Sequence, residues 1–171
     1  MTDVVPRVLV IAGSGRTGSY NRALARAAAQ SLRGKGFAVF EPDLRDCALP
    51  VYDADLEAAS GVPAGALALH EALRTSRGVF LASPEYNAGV APLLKNAIDW
   101  VSRVREHGGI DAAFGGPVFA LGAASPGGLG GYRGLMMLRQ VLELGLGARV
   151  LPEMVSVPRA HEAFDEAGRF R

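Results

Sequence analysis

The sequence predicts an α/β protein: a parallel sheet of five strands with helices on both faces, three layers in all. Three observations predict it. Short continuous apolar runs recur along the chain, the kind a strand buried on both faces requires. Stretches with apolar residues at helical spacing separate them, so strand and helix alternate from end to end, the pattern of right-handed βαβ crossovers. Finally, 49% of the 171 residues are hydrophobic and 20% charged. That is enough apolar surface for one core, and the length fits a single domain over residues 1–171.

The elements follow in order. Val8 to Ala12 is the first strand, stopped by Gly13. A polar loop runs to Tyr20, and Asn21 is expected to cap the helix that follows. Leu24, Ala25, Ala28 and Leu32 form the inner face of that helix, and Arg22, Arg26, Gln30 and Arg33 its wet face. Gly34 and Gly36 end it. Phe37 to Phe40 is the second strand, and Leu44 to Gly61 reads as a long irregular connection. Pro63 opens a helix through Ser76, since proline is tolerated in a first turn. Gly78 to Ala82 is the third strand, and Pro92 opens a helix to about Arg103. Pro117 to Leu121 is the fourth strand and Tyr132 to Leu144 a helix. Ala148 to Leu151 begins the fifth strand, with Val155 to Val157 extending that region.

Composition excludes several classes. The net charge is +1, from 18 basic and 17 acidic residues, so the basic excess of a nucleic-acid binder is missing. The lone cysteine, Cys47, leaves no intrachain disulfide and no cysteine metal cluster. Met1-Thr2-Asp3 puts an acid where a signal peptide carries basic residues. No run of ~18 apolar residues exists to span a membrane. The expectation is a cytoplasmic enzyme or carrier.

Glycine, proline and small polar residues concentrate in three segments: Gly13 to Asn21, Pro84 to Gly89 and Gly122 to Gly131. They follow the first, third and fourth strands, so all three lie at the carboxyl edge of the sheet, where open α/β sheets bind ligands. The first segment, Gly13-Ser14-Gly15-Arg16-Thr17-Gly18-Ser19-Tyr20-Asn21, offers backbone N–H groups, three hydroxyls and a guanidinium. It leads into a helix N-terminus, so a phosphate is its natural guest. Ser19 stands where a Walker A lysine would be, which excludes that motif. Gly13, Gly15 and Gly18 do fit G-x-G-x-x-G, and Glu41 or Asp43 lies where a dinucleotide's ribose would find an acid. That match is weak among 22 glycines. The several side-chain donors suit a terminal monophosphate better than a pyrophosphate.

The second segment reads Ser83-Pro84-Glu85-Tyr86-Asn87-Ala88-Gly89, and the helix after it Pro92-Leu93-Leu94-Lys95-Asn96-Ala97-Ile98-Asp99-Trp100. Together with GSGRTGSYN and GAASPGGLGGYRG, from Val8 to about Pro158, the sequence resembles the NADPH-dependent FMN reductase family, which includes quinone, chromate and azo-dye reductases. The resemblance implies a flavodoxin-like three-layer sandwich with strand order 2-1-3-4-5. It implies FMN and NADPH or NADH as cofactors. Ser14, Arg16, Ser19, Tyr20 and Asn21 then match the segment that contacts the FMN phosphate and ribityl chain. Pro84, Glu85, Tyr86 and Asn87 match the loop along the flavin ring, and Ser125, Gly127 and Gly128 a third wall. No catalytic residue is implied, because the flavin carries the chemistry. Glu85 and Tyr86 are expected to shape the site and hydrogen-bond within it. The implied acceptor is a small molecule: free flavin, a quinone, an azo compound or a metal oxyanion. Two other readings remain open at this point, an electron carrier without its own nicotinamide reaction and an NAD-binding domain.

Family members continue past the region of Phe164 to Gly168 into a final helix, whereas this sequence ends at Arg171. The tail or a second subunit is therefore expected to cover that face. The helix 132–144 is too apolar for one buried side, with Leu135, Met136, Met137, Leu138, Val141, Leu142 and Leu144 against a narrow polar strip. This predicts a homodimer through helices 92–103 and 132–144, and the resemblance adds tetramers for some members. His70, His107 and His161 show no ligand spacing, so no metal is expected. Cys47 is expected to be a packed small residue, with Arg45 near enough in sequence to be able to lower its pKa. Arg16, Arg45, Arg74, Arg77, Arg103 and Arg105 are equal candidates to meet the 2′-phosphate that separates NADPH from NADH.

Overall fold

A computed structural model describes residues 5–171. Five strands form one parallel sheet: β1 (Arg7–Ala12), β2 (Ala38–Phe40), β3 (Gly78–Ala82), β6 (Val118–Ala124) and β7 (Arg149–Val157). Their order is β2-β1-β3-β6-β7, with every pairing parallel. In chain order of the sheet strands this is 2-1-3-4-5. A two-stranded antiparallel ribbon, β4 (Glu85–Tyr86) with β5 (Gly89–Val90), stands apart at the carboxyl edge.

Alternation along β1 shows why its run is continuously apolar. Val8 and Val10 face one layer and Leu9 and Ile11 the other, all buried. The layer under Leu9 and Ile11 is bulky. There α3 (Ala64–Arg74), α4 (Pro92–Val101) and α5 (Tyr132–Gln140) pack Leu69, Leu73, Leu94, Ile98, Leu135 and Leu138 onto the sheet. The opposite layer is thin and rich in alanine. Ala23, Ala25 and Ala29 bring α1 (Tyr20–Gly34) close to the strands. The tail completes this layer. Phe164, only 3% exposed, packs here beside Ala160 of α6 (Ala160–Ala163), stacked on Tyr20 and tilted against Phe170. Of the two coverings expected from sequence, the tail is the one observed.

Several elements depart from the sequence reading, each for a physical reason. Ser19, not Asn21, caps α1: its hydroxyl accepts from Arg22 N at 3.4 Å. The connection 44–61 contains α2 (Ala54–Ser60), a helix with no buried residue and hence no apolar period to read. Asp53 caps it, accepting from Asp55 N and Leu56 N. β6 runs on to Ala124 through Gly122, because the ring of Phe80 fills the space a Cβ there would need. The helix 132–144 is α-helical to Gln140 and then widens into a π turn, Val141–Gly145. The fifth strand is continuous over Arg149–Val157, with a bulge opposite β6 between Phe119 and Leu121. Arg139 fills that bulge, donating to the carbonyls of Val150, Leu151 and Pro152.

Candidate functional site

The segments 13–19, 83–91 and 125–131 all leave strands at the carboxyl edge of the sheet. Thr17, Gly18, Tyr86, Asn87, Gly127 and Gly128 are exposed along it.

The first segment is shaped to receive an anion. Gly13 N donates to Ala82 O at 2.8 Å, tying the loop to the end of β3. Ser14 is buried, and its hydroxyl accepts from Arg16 N at 3.4 Å. Gly18 turns the chain at φ +68°. The backbone N–H groups of Thr17, Gly18 and Tyr20 find no acceptor among the described residues. Unpaired N–H groups at a helix start, with an exposed guanidinium beside them, are groups an anion can meet. A Cβ at Gly18 would meet nothing within 4 Å, so space for the guest lies in front of the loop.

Asn21 serves a different purpose. It is 3% exposed, and both ends of its amide are turned onto Ala124: Nδ2 donates to the carbonyl at 2.8 Å, and Oδ1 accepts from the N–H at 3.0 Å. It locks the start of α1 to the end of β6, which sets the distance between the first and third walls.

The second wall is a tight hairpin. Asn87 and Ala88 occupy its two-residue turn with φ +50° and +61°, the left-handed pair a type I′ turn demands. Their N–H groups find no acceptor among the described residues and project at the tip. Glu85 faces away, into an ion pair with Arg133 and a 3.1 Å bond from Gly134 N. Burial pushes the Glu85 carboxyl up, but the donors Arg133 and Gly134 N–H together outweigh it and hold it below the ordinary glutamate value. Gly134 allows this close approach, since a Cβ there would stand tightly at 3.0 Å from Glu85 Cβ and 3.1 Å from Gly89 O. The third wall is held at Ser125, whose hydroxyl accepts from Gly127 N at 3.2 Å. Gly128 presents open space beyond its Cα.

The structure therefore gathers Ser14, Arg16, Ser19, Tyr20, Pro84, Glu85, Tyr86, Asn87, Ser125, Gly127 and Gly128 along one edge. Ser19 and Tyr20 also do structural work, as the cap of α1 and as the stacking partner of Phe164.

Sequence reasoning missed a charged network beside the first loop. Asp43 accepts from Arg22 at 2.8 Å and from Arg45 at 2.7 Å. The Arg45 hydrogen bond, aided by Arg45 N–H and Arg22 and opposed by burial, keeps Asp43 well below the usual carboxylate range. The Arg45 stem lies across Gly15, where a Cβ would come within 2.6 Å of Arg45 Cδ. The only sequence sign of this packing was the glycine itself. Arg45 is thus committed to Asp43 and does not activate Cys47. Burial pushes that thiol up, and Asp46 and Asp43 add to the rise. Among the described residues no group of three His, Cys, Asp or Glu is placed to hold a metal, and no helix is long and apolar enough to cross a membrane.

Comparison with known proteins now adds to this geometry. The family model described as NADPH-dependent FMN reductase matches residues 6–162. A quinone reductase of Escherichia coli (strain K12) is 37% identical over 136 residues, covering 80% of this chain and 69% of that protein. An NAD(P)H-dependent FMN reductase of Pseudomonas aeruginosa is 37% identical over 170 residues, covering 99% and 86%. Among solved structures, a flavoenzyme NAD(P)H:(acceptor) oxidoreductase from Paracoccus denitrificans superposes with a TM-score of 0.75 at 29% identity, covering 97% of this chain and 86% of that one.

Proposed function

The chain belongs to the NADPH-dependent FMN reductase family, and on that premise we propose that its carboxyl edge is an FMN site at which NAD(P)H is oxidised and a small acceptor reduced. FMN held there would supply the redox chemistry between the nicotinamide and the acceptor. The chain supplies binding and orientation. Ser14, Arg16 and Ser19, with the free N–H groups of Thr17, Gly18 and Tyr20, hold the phosphate and ribityl end. Pro84 to Asn87 and the N–H groups at the hairpin tip line the ring and bond its polar edge. Ser125, Gly127 and Gly128 form the far wall, where missing side chains let the ring lie against backbone. Asn21 acts through Ala124 as a positioning residue. Glu85 supplies no proton, because its carboxylate is bound to Arg133 and Gly134.

The observation that carries this reading is the loop 14–20. The N–H groups of Thr17, Gly18 and Tyr20 find no acceptor among the described residues, at a helix start beside the exposed Arg16, which fits a phosphate monoester such as the terminus of FMN. The exposed edge fits acceptors of varied shape, including free flavin, quinones, azo compounds and metal oxyanions. The protein acts as a single domain in the cytoplasm. It pairs with a second copy through α4 and α5, where Met136, Met137 and Leu144 stand exposed, as a homodimer or a pair of dimers.

The test is an anaerobic absorbance titration of the FMN-reconstituted protein with NADPH and then NADH. Bleaching of the flavin band at a stoichiometric ratio is expected. FMN binding without bleaching by either nucleotide would overturn the reductase reading in favour of an electron carrier. Light scattering that finds a monomer at micromolar concentration would remove the homodimer.

A further inference from the structure

A loop that grips a phosphate binds it best when the loop is already held in shape, because the ligand is then spared the cost of ordering it. The loop 13–19 is braced from outside by the turn 43–48, which follows β2. Asp46 N donates to Asp43 O and Ala48 N to Arg45 O within that turn. Leu44, only 2% exposed, fixes it in the same core layer as Leu9 and Ile11. Its Cys47 carbonyl lies against Gly65 of α3, where a Cβ would overlap it. The turn is therefore a firm base, and Asp43 and Arg45 flank its buried leucine.

From this base the Arg45 side chain reaches over the loop. A Cβ at Gly15 would stand 2.6 Å from Arg45 Cδ and 3.0 Å from Cγ, so the stem rests on the backbone between Ser14 and Arg16. Asp43 fixes the direction of that stem. Its Oδ1 accepts from Arg45 N at 3.0 Å and from Nε at 3.1 Å, and its Oδ2 from Nη2 at 2.7 Å. Two parallel bonds from a planar guanidinium define an orientation that a single bond would leave free. The same Oδ2 accepts from Arg22 Nη1 at 2.8 Å. Arg22 lies in the first turn of α1, where Ser19 takes its N–H. One carboxylate thus holds the middle of the loop and the helix start that follows it.

We propose that Asp43 is a positioning residue for the phosphate end of the flavin, holding Arg45 over Gly15 and Arg22 at the start of α1 so that the loop's N–H groups are in place before the ligand arrives. The proposal rests on the FMN reading above. Arg22 and Arg45 are both committed to Asp43, so the brace acts through the shape of the loop and not through charge placed on the ligand. Asp43 stays ionised far below neutral pH, chiefly through the Arg45 hydrogen bond, so the brace is intact wherever the phosphate is charged.

The test is calorimetric titration of the flavin-free protein with FMN and with riboflavin, which lacks the phosphate. Wild type should prefer FMN. Asp43→Ala and Arg45→Ala should each weaken FMN binding about tenfold, the cost of fixing a loop residue again, and leave riboflavin within about twofold. Arg45→Lys keeps a stem without the fork and should fall between. The Arg45 side chain is half exposed, so its variants report on the brace even where Asp43→Ala is unstable. Gly15 does not have a left-handed φ, so its backbone admits alanine. Gly15→Ala should weaken FMN binding when Arg45 is present and add little in an Arg45→Ala background, where the side chain its Cβ meets is gone. Equal losses for FMN and riboflavin would reveal a merely structural role and overturn the proposal, as would independent, additive losses from Gly15→Ala and Arg45→Ala. If wild type prefers FMN and the variants keep that preference, only the brace falls. If wild type binds FMN no more tightly than riboflavin, the FMN reading of the loop falls with it.

Discussion

The two ends of the proposed flavin site are built in different ways. At the phosphate end one continuous run, residues 13–21, supplies the N–H groups, the hydroxyls and the guanidinium. The ring end is assembled from distant segments and owes its shape to side chains that reach between them. Glu85 bonds to Gly134, 49 residues away, and Asn21 to Ala124, 103 residues away. The first is a local device whose geometry follows from a strand, a glycine turn and a helix cap. The second exists only when the tertiary structure does. Substitutions should therefore affect ligand binding at one end and folding at the other.

The largest effect is expected where the two ends are tied together. Asn21→Leu strands the buried N–H and carbonyl of Ala124, each costing about 1–3 kcal/mol, so urea denaturation should report a loss of about 2–4 kcal/mol. A loss below about 1 kcal/mol would mean that something else holds the walls apart. Arg16→Ala should do the reverse. It should weaken FMN binding by about 1.5–3 kcal/mol, measured by calorimetric titration, with the urea midpoint of the FMN-free protein unchanged. An unaltered FMN affinity would remove Arg16 from the phosphate site.

Ser19→Ala sharpens the contrast, because Ser19 has both duties. Loss of a helix cap costs about 0.5–1 kcal/mol at the weak end of the range, appropriate to a 3.4 Å bond. The FMN-free protein should lose that much, and any further loss of FMN affinity measures its contact with the ligand. The smallest effect belongs to Glu85. Its carboxyl is lowered in the folded protein, so its contribution is complete above the unfolded glutamate value, about pH 4.3. That contribution disappears as pH falls through the lower folded value. Its partner Arg133 is more than half exposed, which keeps the contribution under about 1 kcal/mol. Melting curves between pH 6 and 3 should show wild type losing stability relative to Glu85→Gln across that window.

The same division governs what could be read from the chain alone. The sheet was legible because β1, β3 and β6 are buried on both faces and are spelled as unbroken apolar runs, whereas its strand order was legible only through the family resemblance. The donors of the first loop were legible because they are contiguous. The position of Asn21 was not, because a residue at a helix start is a cap by local rules, and only Ala124 across the sheet makes it a strut. The helix α2 escaped notice because it buries nothing. The Asp43 network escaped because Arg22 and Arg45 lie in different elements, and Gly15 marked only that something had to fit against it. The shape of the ring end was legible through family resemblance rather than through local physics.

The bulge in β7 has a consequence of another kind. This nine-residue strand lies at the margin of the sheet, where a regular row of free carbonyls would invite a strand from another molecule to add on. The bulge breaks that row, and Arg139 occupies three of its carbonyls. One guanidinium from a neighbouring helix thus spoils the template. A strand from another molecule therefore meets no regular row of carbonyls along this stretch of the edge.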